Sequence, residues 1–320
     1  MESSSQGIKL YLTPNVVVII VNYRSVEYVA DCISSILSDS AINRILVYDN
    51  GSGPAEIQRL REIANLSDRV SVIFGERNVG FGAGVNRAVK HAALLDDEYL
   101  WILNPDTVSA SETASRLRTF VSAGRASIVS PLILEGTPPS DVIWFAGGNV
   151  DLYRGVTHHL LLGQHTPPDL DEAVETTFMA GAAPFMHFSA WTTLGGFRED
   201  LFLYWEDSAL SIAAQEIGLK MAVLTSAHVW HSVGGSSATT NTLSAIYYYY
   251  NQRNRLLTAI EQRRVRALLI GPGVFETIKQ LIRPLRIEKE DRWVKFRAGV
   301  LGLLDGLRGR SGKNHEISGP

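Results

Sequence analysis

The chain has 320 residues, 45% of them hydrophobic and 20% charged, with 27 glycines, 12 prolines and one cysteine. This composition can bury a sizeable core and excludes a disordered, collagen-like or polytopic membrane protein. Net charge is only −3, but residues 251–320 hold 15 Lys and Arg against 7 Asp and Glu, so a basic tail follows an acidic body. The acidic body argues against a nucleic-acid groove. The basic tail with its apolar residues is compatible with an anionic membrane surface, a partner helix or a solvated face.

Residues 1–14 lack a basic n-region and a cleavage site, and they read as a flexible N-terminus of a cytoplasmic protein. The aliphatic run 16–21 is too short to cross a bilayer and reads as a buried strand ending at Asn22 and Tyr23. A helix over 28–37 follows, with Val29, Ile33 and Ile36 on one face. Cys32 falls among them and reads as core rather than nucleophile. Residues 44–48 form the second strand, ending at Asp49 and Asn50. A helix through Ile57, Leu60 and Ile63 leads to a third strand over 70–74. A Gly-rich turn, Asn78 to Asn86, then opens a helix over about 85–95. Residues 99–103 form the fourth strand and end at Asn104, Pro105 and Asp106.

Alternating strands and helices predict an α/β fold with a mostly parallel central sheet. In such sheets ligands bind beyond the carboxyl ends of the strands, and here every strand ends in polar residues. Gly80, Gly82 and Gly84 invite a dinucleotide reading, but Val85 stands where the G-x-G-x-x-G fingerprint needs its third glycine, and the turn follows the third strand instead of the first. A loop closely approached by a ligand, and a tight turn without one, both remain open. Asp106 in its turn is a cap or, beside a diphosphate, an oxygen ligand for a divalent cation.

From about residue 130 the rhythm changes to Gly-, aromatic- and His-rich segments, with a loop over 163–171. The densest chemistry is Gly195 to Asp207, where a Gly-Gly turn leads through aromatic residues to Glu206 and Asp207. Carboxylates beside apolar surface acquire raised pKa values and become usable general bases. Acids at a helix N-terminus explain the same pair. His228 and His231 have metal-pair spacing only on a helix, which the β-branched and Gly-rich surroundings disfavour. The four tyrosines 247–250 cannot share one helix face, so at least one is core.

Taken in order, these segments resemble the inverting glycosyltransferases of family two with the GT-A fold, and within them the bacterial rhamnosyltransferase-like branch. Ile20-Val21-Asn22-Tyr23-Arg24, Val47-Tyr48-Asp49-Asn50-Gly51-Ser52, Asn78 to Asn86, Leu103-Asn104-Pro105-Asp106-Thr107, Gly195 to Asp207 and His231 to Ser236 carry the likeness, over about residues 15–258. The resemblance implies a nucleotide-diphospho-sugar donor, dTDP-rhamnose or a UDP-sugar, bound by Asn22, Tyr23, Asp49, Asn78, Gly80, Phe81, Gly82, Gly84, Asn86 and Asn104. It implies a divalent cation, Mg²⁺ or Mn²⁺, on Asp106 and His231, and Asp207 as the base with Glu206 beside it. Gly181, Tyr204, Trp205 and Arg253 would meet a glycan or lipid-linked acceptor in cell-surface polysaccharide synthesis. Asn104 stands where many relatives have the first Asp of D-x-D, and Ala209 where this branch often has an acid. A non-catalytic sugar-nucleotide-binding module is therefore the alternative.

The expected organisation is a GT-A catalytic domain over 15–245, with a nucleotide half to residue 110 and an acceptor half from 111. A helical, basic, amphipathic extension follows over 246–310, then a disordered tail over 311–320. The extension is compatible with peripheral contact on the inner face of the cell membrane or with a homodimer.

Overall fold

The computed structural model describes residues 15–232 and 243–318. Its first half contains β1 (Val16–Asn22), α1 (Val26–Ile36), β2 (Ile42–Asp49), α2 (Pro54–Ala64), β3 (Val70–Phe74), α3 (Phe81–Ala92) and β4 (Tyr99–Leu103). Every position of β1 is buried, because the strand lies mid-sheet with both faces covered, and its sequence is accordingly a continuous Val/Ile run. Helix α1 turns Val26, Val29, Cys32, Ile33 and Ile36 inward at helical spacing. All four expected strands are present.

Helix α3 starts at Phe81, a full turn before the sequence suggests. Gly82 and Gly84 are poor helix formers, costing about 1 kcal/mol each, yet the helix needs them for close approach. A Cβ on Gly82 would stand 2.9 Å from Phe197 Cβ, and one on Gly84 would stand 3.0 Å from Val21 Cγ1.

The second half contains β5 (Thr107–Ser109), α4 (Thr113–Ser122), β6 (Ile128–Glu135), β7 (Ile143–Phe145), β8 (Gly148–Asp151), β9 (Val156–His159), β10 (Ala173–Thr176), β11 (Phe185–His187), α5 (Phe188–Leu194), α6 (Glu206–Glu216) and β12 (Met221–His231). Among the described residues one ten-stranded sheet runs β10-β12-β6-β11-β4-β1-β2-β3, with β5 on β12 and β7 on β6; β8 and β9 form a separate hairpin. Antiparallel β11 bridges β4 and β6, so both halves share one sheet and one core. His228 and His231 lie three apart on strand β12, which sends them to opposite faces. Only His231 can join the strand-end site.

The C-terminal region contains α7 (Ala245–Glu261), α8 (Val265–Ile270), α9 (Val274–Ile287), α10 (Arg292–Leu307) and α11 (His315–Ser318). Glycines let α10 lie close on α7: a Cβ on Gly306 would meet Leu256 Cβ at 2.8 Å. Three of the four tyrosines, Tyr248, Tyr249 and Tyr250, are buried between these elements. Their hydroxyls are satisfied there, Tyr248 donating to Glu288 at 2.8 Å and Tyr249 to Asp305 at 2.7 Å.

Residues 311–318 do not form the disordered tail expected from the sequence. Gly312 N donates to Asp200 O at 2.6 Å, and Asn314 N donates to Tyr250 Oη at 2.9 Å, so the buried tyrosines anchor the segment. No described helix is long and apolar enough to cross a membrane.

Candidate active site

Three parallel strands deliver polar residues to one sheet edge. Asn22 lies in register with Asp49, and Leu103, which precedes Asn104, lies in register with Ile20. Asn22 Nδ2 lies 3.0 Å from Asp49 Oδ1, 3.2 Å from Ser52 Oγ and 3.1 Å from Glu56 Oε2. Asp49 Oδ2 accepts from Ser52 N at 3.1 Å. The carboxylate is thereby fixed, with Asn22 as its brace. Gly51 closes the turn at φ 79°, where a Cβ would strike the Arg77 backbone at 2.6 Å. Ser52 belongs to the 47–52 segment expected from the sequence, whereas Glu56 was not expected; its signal is an acid in the first turn of a helix that follows a strand-end Asp. Tyr23 stands at the rim with the Arg24 guanidinium 5.2 Å from its ring centre.

The Gly-rich segment is tied down by its own asparagines and by Asn50. Asn78 Oδ1 accepts from Gly80 N at 2.9 Å and from Asn50 Nδ2 at 3.2 Å, and Asn50 also ties down Val79 N and Gly80 O. Asn86 engages Phe197 through both amide atoms, at 2.8 and 2.9 Å, and reaches Glu199 at 3.0 Å. Gly80, at φ 93°, leaves no room for a Cβ against the Phe202 carbonyl, and Phe81 N donates to that carbonyl at 3.0 Å. The polar atoms of Asn86 and the bare faces of Gly80 and Gly82 thus join α3 to the 197–206 loop, while the bare face of Gly84 lies against Val21 of β1. Phe81 packs on Phe197 with ring centres 5.9 Å apart. Asn50, expected as a strand-end residue but not among the donor-binding residues, organises this segment.

Beyond β4, Asp106 Oδ1 lies 3.1 Å from His231 Nε2, and Asn104 Nδ2 lies 3.5 Å from the same nitrogen. The sheet causes this convergence, because β5 pairs antiparallel with β12 and sets Thr107 opposite His231. His231 is buried edge-to-face on Trp144, ring centres 4.7 Å apart, and its Nδ1 has no hydrogen-bond partner. The Cys32 thiol packs beneath the turn, 3.5 Å from Thr107 Oγ1, and burial pushes its pKa up to about 12, so it is core as expected. No group of three or more His, Cys, Asp or Glu among the described residues could hold an ion. One carboxylate oxygen and one imidazole nitrogen fit a hard cation whose remaining ligands are diphosphate oxygens and water.

The carboxylates lie at the start of α6. Asp207 Oδ2 accepts from Gly181 N at 3.2 Å, and Asp207 Oδ1 accepts from Ser208 N at 2.7 Å. Gly181 therefore serves the carboxylate through its backbone. The neighbouring Ala182 O accepts from Asn104 N at 2.9 Å, which links this carboxylate to the Asp106 turn. Asp207 keeps partial exposure, whereas Glu206 is buried with Oε2 unpartnered. Burial raises both carboxyl pKa values; the adjacent Asp207 raises that of Glu206 further, while hydrogen bonds from Gly181 and Ser208 restrain that of Asp207.

The segment entering α6 holds three non-glycine residues at positive φ: Phe202 (66°), Tyr204 (66°) and Trp205 (72°). Such conformations cost roughly 1–3 kcal/mol each and persist only where the surroundings over-determine them. Of the residues assigned to the acceptor, Tyr204 is half-exposed against Tyr247, and burial raises its phenol pKa. Trp205 and Arg253 are both buried. Trp205 is buried with Leu201, Ala209 and Leu257, its indole donating to Asn251 Oδ1 at 2.9 Å. Arg253 is buried over Tyr250 and donates to the carbonyls of Leu201 and Gly312. Gly234 and Ser236 lie outside the described residues.

A mostly parallel sheet with an Asp at the end of its second strand, an Asp–His pair beyond the fourth and a carboxylate opening a later helix defines a GT-A glycosyltransferase fold. The chain belongs to glycosyl transferase family 2, whose family model matches residues 17–190. It is 27% identical over 199 residues to the low-salt glycan biosynthesis hexosyltransferase Agl10 of Haloferax volcanii, a match covering 59% of this chain and 58% of that protein. The chain thus spans little more than half the length of that curated relative.

Solved structures agree on the fold. GalNAc-T7 with UDP, GalNAc and Mn²⁺ superposes at a TM-score of 0.61 with 15% identity, over 93% of this chain and 56% of that one. The S. aureus TarS fragment 1–349 with UDP-GlcNAc gives 0.57 with 14% identity, over 92% and 81%. The mannosyltransferase PcManGT of Pyrobaculum calidifontis with GDP-Man and Mn²⁺ gives 0.57 with 12% identity, over 93% and 88%.

Proposed function

We propose that this chain is an inverting, metal-dependent glycosyltransferase that moves a sugar from a nucleotide-diphospho-sugar to a glycan or lipid-linked acceptor of cell-surface polysaccharide synthesis. The observation that carries the reading is Asp207: a partly exposed carboxylate with a raised pKa, held by Gly181 N beside Ala182, whose carbonyl accepts from Asn104 N in the turn that carries Asp106. An acceptor hydroxyl beside Asp207 gives up its proton to the carboxylate while its oxygen attacks the anomeric carbon. The bond from that carbon to the diphosphate breaks, and its electron pair leaves with the diphosphate. A positioned base of this kind contributes about 10²- to 10⁴-fold. Asp106 and His231 would hold a divalent cation, which supplies charge neutralisation on the departing diphosphate. Asp49 with Asn22 forms the base-recognition end. Likeness to the rhamnosyltransferase branch favours dTDP-rhamnose as donor.

The test is a thermal-shift panel of dTDP-rhamnose, UDP-N-acetylglucosamine and GDP-mannose, each with Mn²⁺, Mg²⁺ or EDTA, since ligands of the native state raise apparent stability by mass action. One donor should shift the protein in a metal-dependent way. Asp207→Asn should keep that shift and lose transfer. Full transfer by Asp207→Asn overturns the assignment of Asp207 as the base, whereas no shift with any donor and no transfer by wild type overturns the reading and favours a module without turnover.

The reading extends to the membrane. The outward faces of α8 to α10 expose Ile270 (81%), Phe275 (80%) and Trp293 (63%). The same C-terminal segment exposes Arg286, Lys289, Arg292 and Arg297, together with Glu290 and Asp291. Exposed apolar side chains on helices that also carry exposed cations suit an anionic lipid surface. Co-sedimentation with phosphatidylglycerol vesicles, lost in Phe275→Ser with Trp293→Ser and absent for phosphatidylcholine, checks it. Concentration-dependent dimerisation without vesicle binding would assign the face to a second copy instead.

A further inference from the structure

We propose that Asn254, on α7, is a positioning residue for the transfer reaction, holding the loop 201–205 in the one conformation that presents Asp207; this rests on the reading of Asp207 as the base. The geometry is unusual for a single side chain. Asn254 Nδ2 lies 2.8 Å from each of three carbonyl oxygens, those of Leu201, Leu203 and Tyr204. Its Oδ1 accepts from Arg253 Nε at 2.9 Å, which fixes the amide orientation, because a flipped amide would set an oxygen against three oxygens and a nitrogen against a donor. Asn254 is fully buried.

The three carbonyls belong to the stretch that contains Phe202, Tyr204 and Trp205 at positive φ. Such backbone does not hold itself, and its own hydrogen bonds are few: Phe202 N to Glu199 O, and Leu203 N to Leu201 O. The outside restraints come from two directions. From α3, Phe81 N takes the Phe202 carbonyl. From α7, Asn254 takes three carbonyls, Arg253 shares that of Leu201, and Asn251 takes the Trp205 indole. Trp205 is the residue immediately before α6, so its backbone sets the direction in which Glu206 and Asp207 leave the loop. Among the described residues no hydrogen bond joins the strand-end residues Asn22, Asp49 and Asp106 to α7, so donor binding is separable from this restraint.

The C-terminal helices therefore have a role beyond covering the catalytic domain. One amide group on α7 transmits their packing to the carboxylate, and helix α10 supports α7 from behind through Gly302 and Gly306.

The experiment compares full-length wild type with Asn254→Ala and, as a milder change that leaves the buried amide intact, Asn251→Ala. Amide hydrogen exchange over residues 199–207 should rise in both, more in Asn254→Ala, with β1, β2 and β4 unchanged. Nucleotide-diphosphate release from whichever of the three donors shifts the protein should show kcat lowered by about 10²-fold in Asn254→Ala, the cost of a small misplacement of a reacting group. KM for the donor should stay within about twofold of wild type, because uniform binding is untouched. The pH at which kcat is half-maximal should move as well, since the Gly181 and Ser208 bonds that restrain the Asp207 pKa depend on its placement. Unchanged exchange and an unchanged pH profile in folded Asn254→Ala overturn the proposal. A fall in kcat matched by loss of folded protein, with exchange raised throughout the domain, also overturns it in favour of a merely structural role. Failure of Asp207→Asn to abolish release while the Asn254 effects appear separates an error about the base from an error about its support.

Discussion

Asp106 Oδ1 and His231 Nε2 lie 3.1 Å apart although 125 positions separate them in sequence. Two side chains on adjacent antiparallel segments, one donating oxygen and one nitrogen, make a half-shell that a diphosphate-bound cation can complete. Asp106→Ala and His231→Ala should each weaken the Mn²⁺-dependent part of donor binding by more than the roughly 10- to 100-fold typical of residues that only orient ligands. Titration calorimetry with donor in Mn²⁺ and in EDTA measures it; the EDTA affinity should change little.

The buried carboxyl pair gives a pH dependence with a defined sign. Glu206 rises from the ordinary 4.5 to about 8 in the folded state, chiefly by desolvation, so the native protein holds a proton there that the unfolded chain has released. By linkage, stability falls as pH rises through that interval, and this contribution is fully present only below 4.5. Glu206→Gln should therefore gain Tm relative to wild type as pH rises from 5 toward about 8. Asp207 must lose its proton to act, so transfer should rise over an acid limb lying above the ordinary carboxylate range.

Gly80 is required by backbone geometry and by space at once. Its φ of 93° and the Phe202 carbonyl against the missing Cβ together predict that Gly80→Ala costs about 3 kcal/mol. Chemical denaturation measures the loss. Gly163→Ala, also at positive φ but with open space around it, is the control for strain alone.

Arg253 is buried and its guanidinium is engaged in packing. Arg253→Ala removes hydrogen bonds to the Leu201 and Gly312 carbonyls and the guanidinium over the Tyr250 ring. The expected loss is about 3 kcal/mol of stability, with KM for acceptor unchanged in the folded fraction. Denaturation midpoints and acceptor titration, once an acceptor is identified, separate the two effects.

The local sequence made the first half legible. Continuous Val and Ile in β1, the 3–4 spacing of Val26, Val29, Ile33 and Ile36, and Asn or Asp at each strand end are short-range patterns, and short-range patterns follow from backbone geometry alone. They placed the strands, the parallel sheet, the polar edge at the strand ends and the Asp207 segment. Composition likewise marked the apolar, basic character of the C-terminal helices.

What the local pattern could not carry was which groups face one another across long separations. That Asn50 bonds Asn78, that Asn86 holds the Phe197 loop, that Trp205 and Arg253 point into packing, and that residues 311–318 dock on Tyr250 are outcomes of tertiary contact. A glycine beside a ligand and a glycine beside another backbone have the same sequence signature, as do a tyrosine in a core and one in a cleft. Only the packed chain distinguishes them, because burial and hydrogen-bond partnering are properties of pairs of segments, and pairing is settled when the sheet, α3 and α7 close around the loop that carries Asp207.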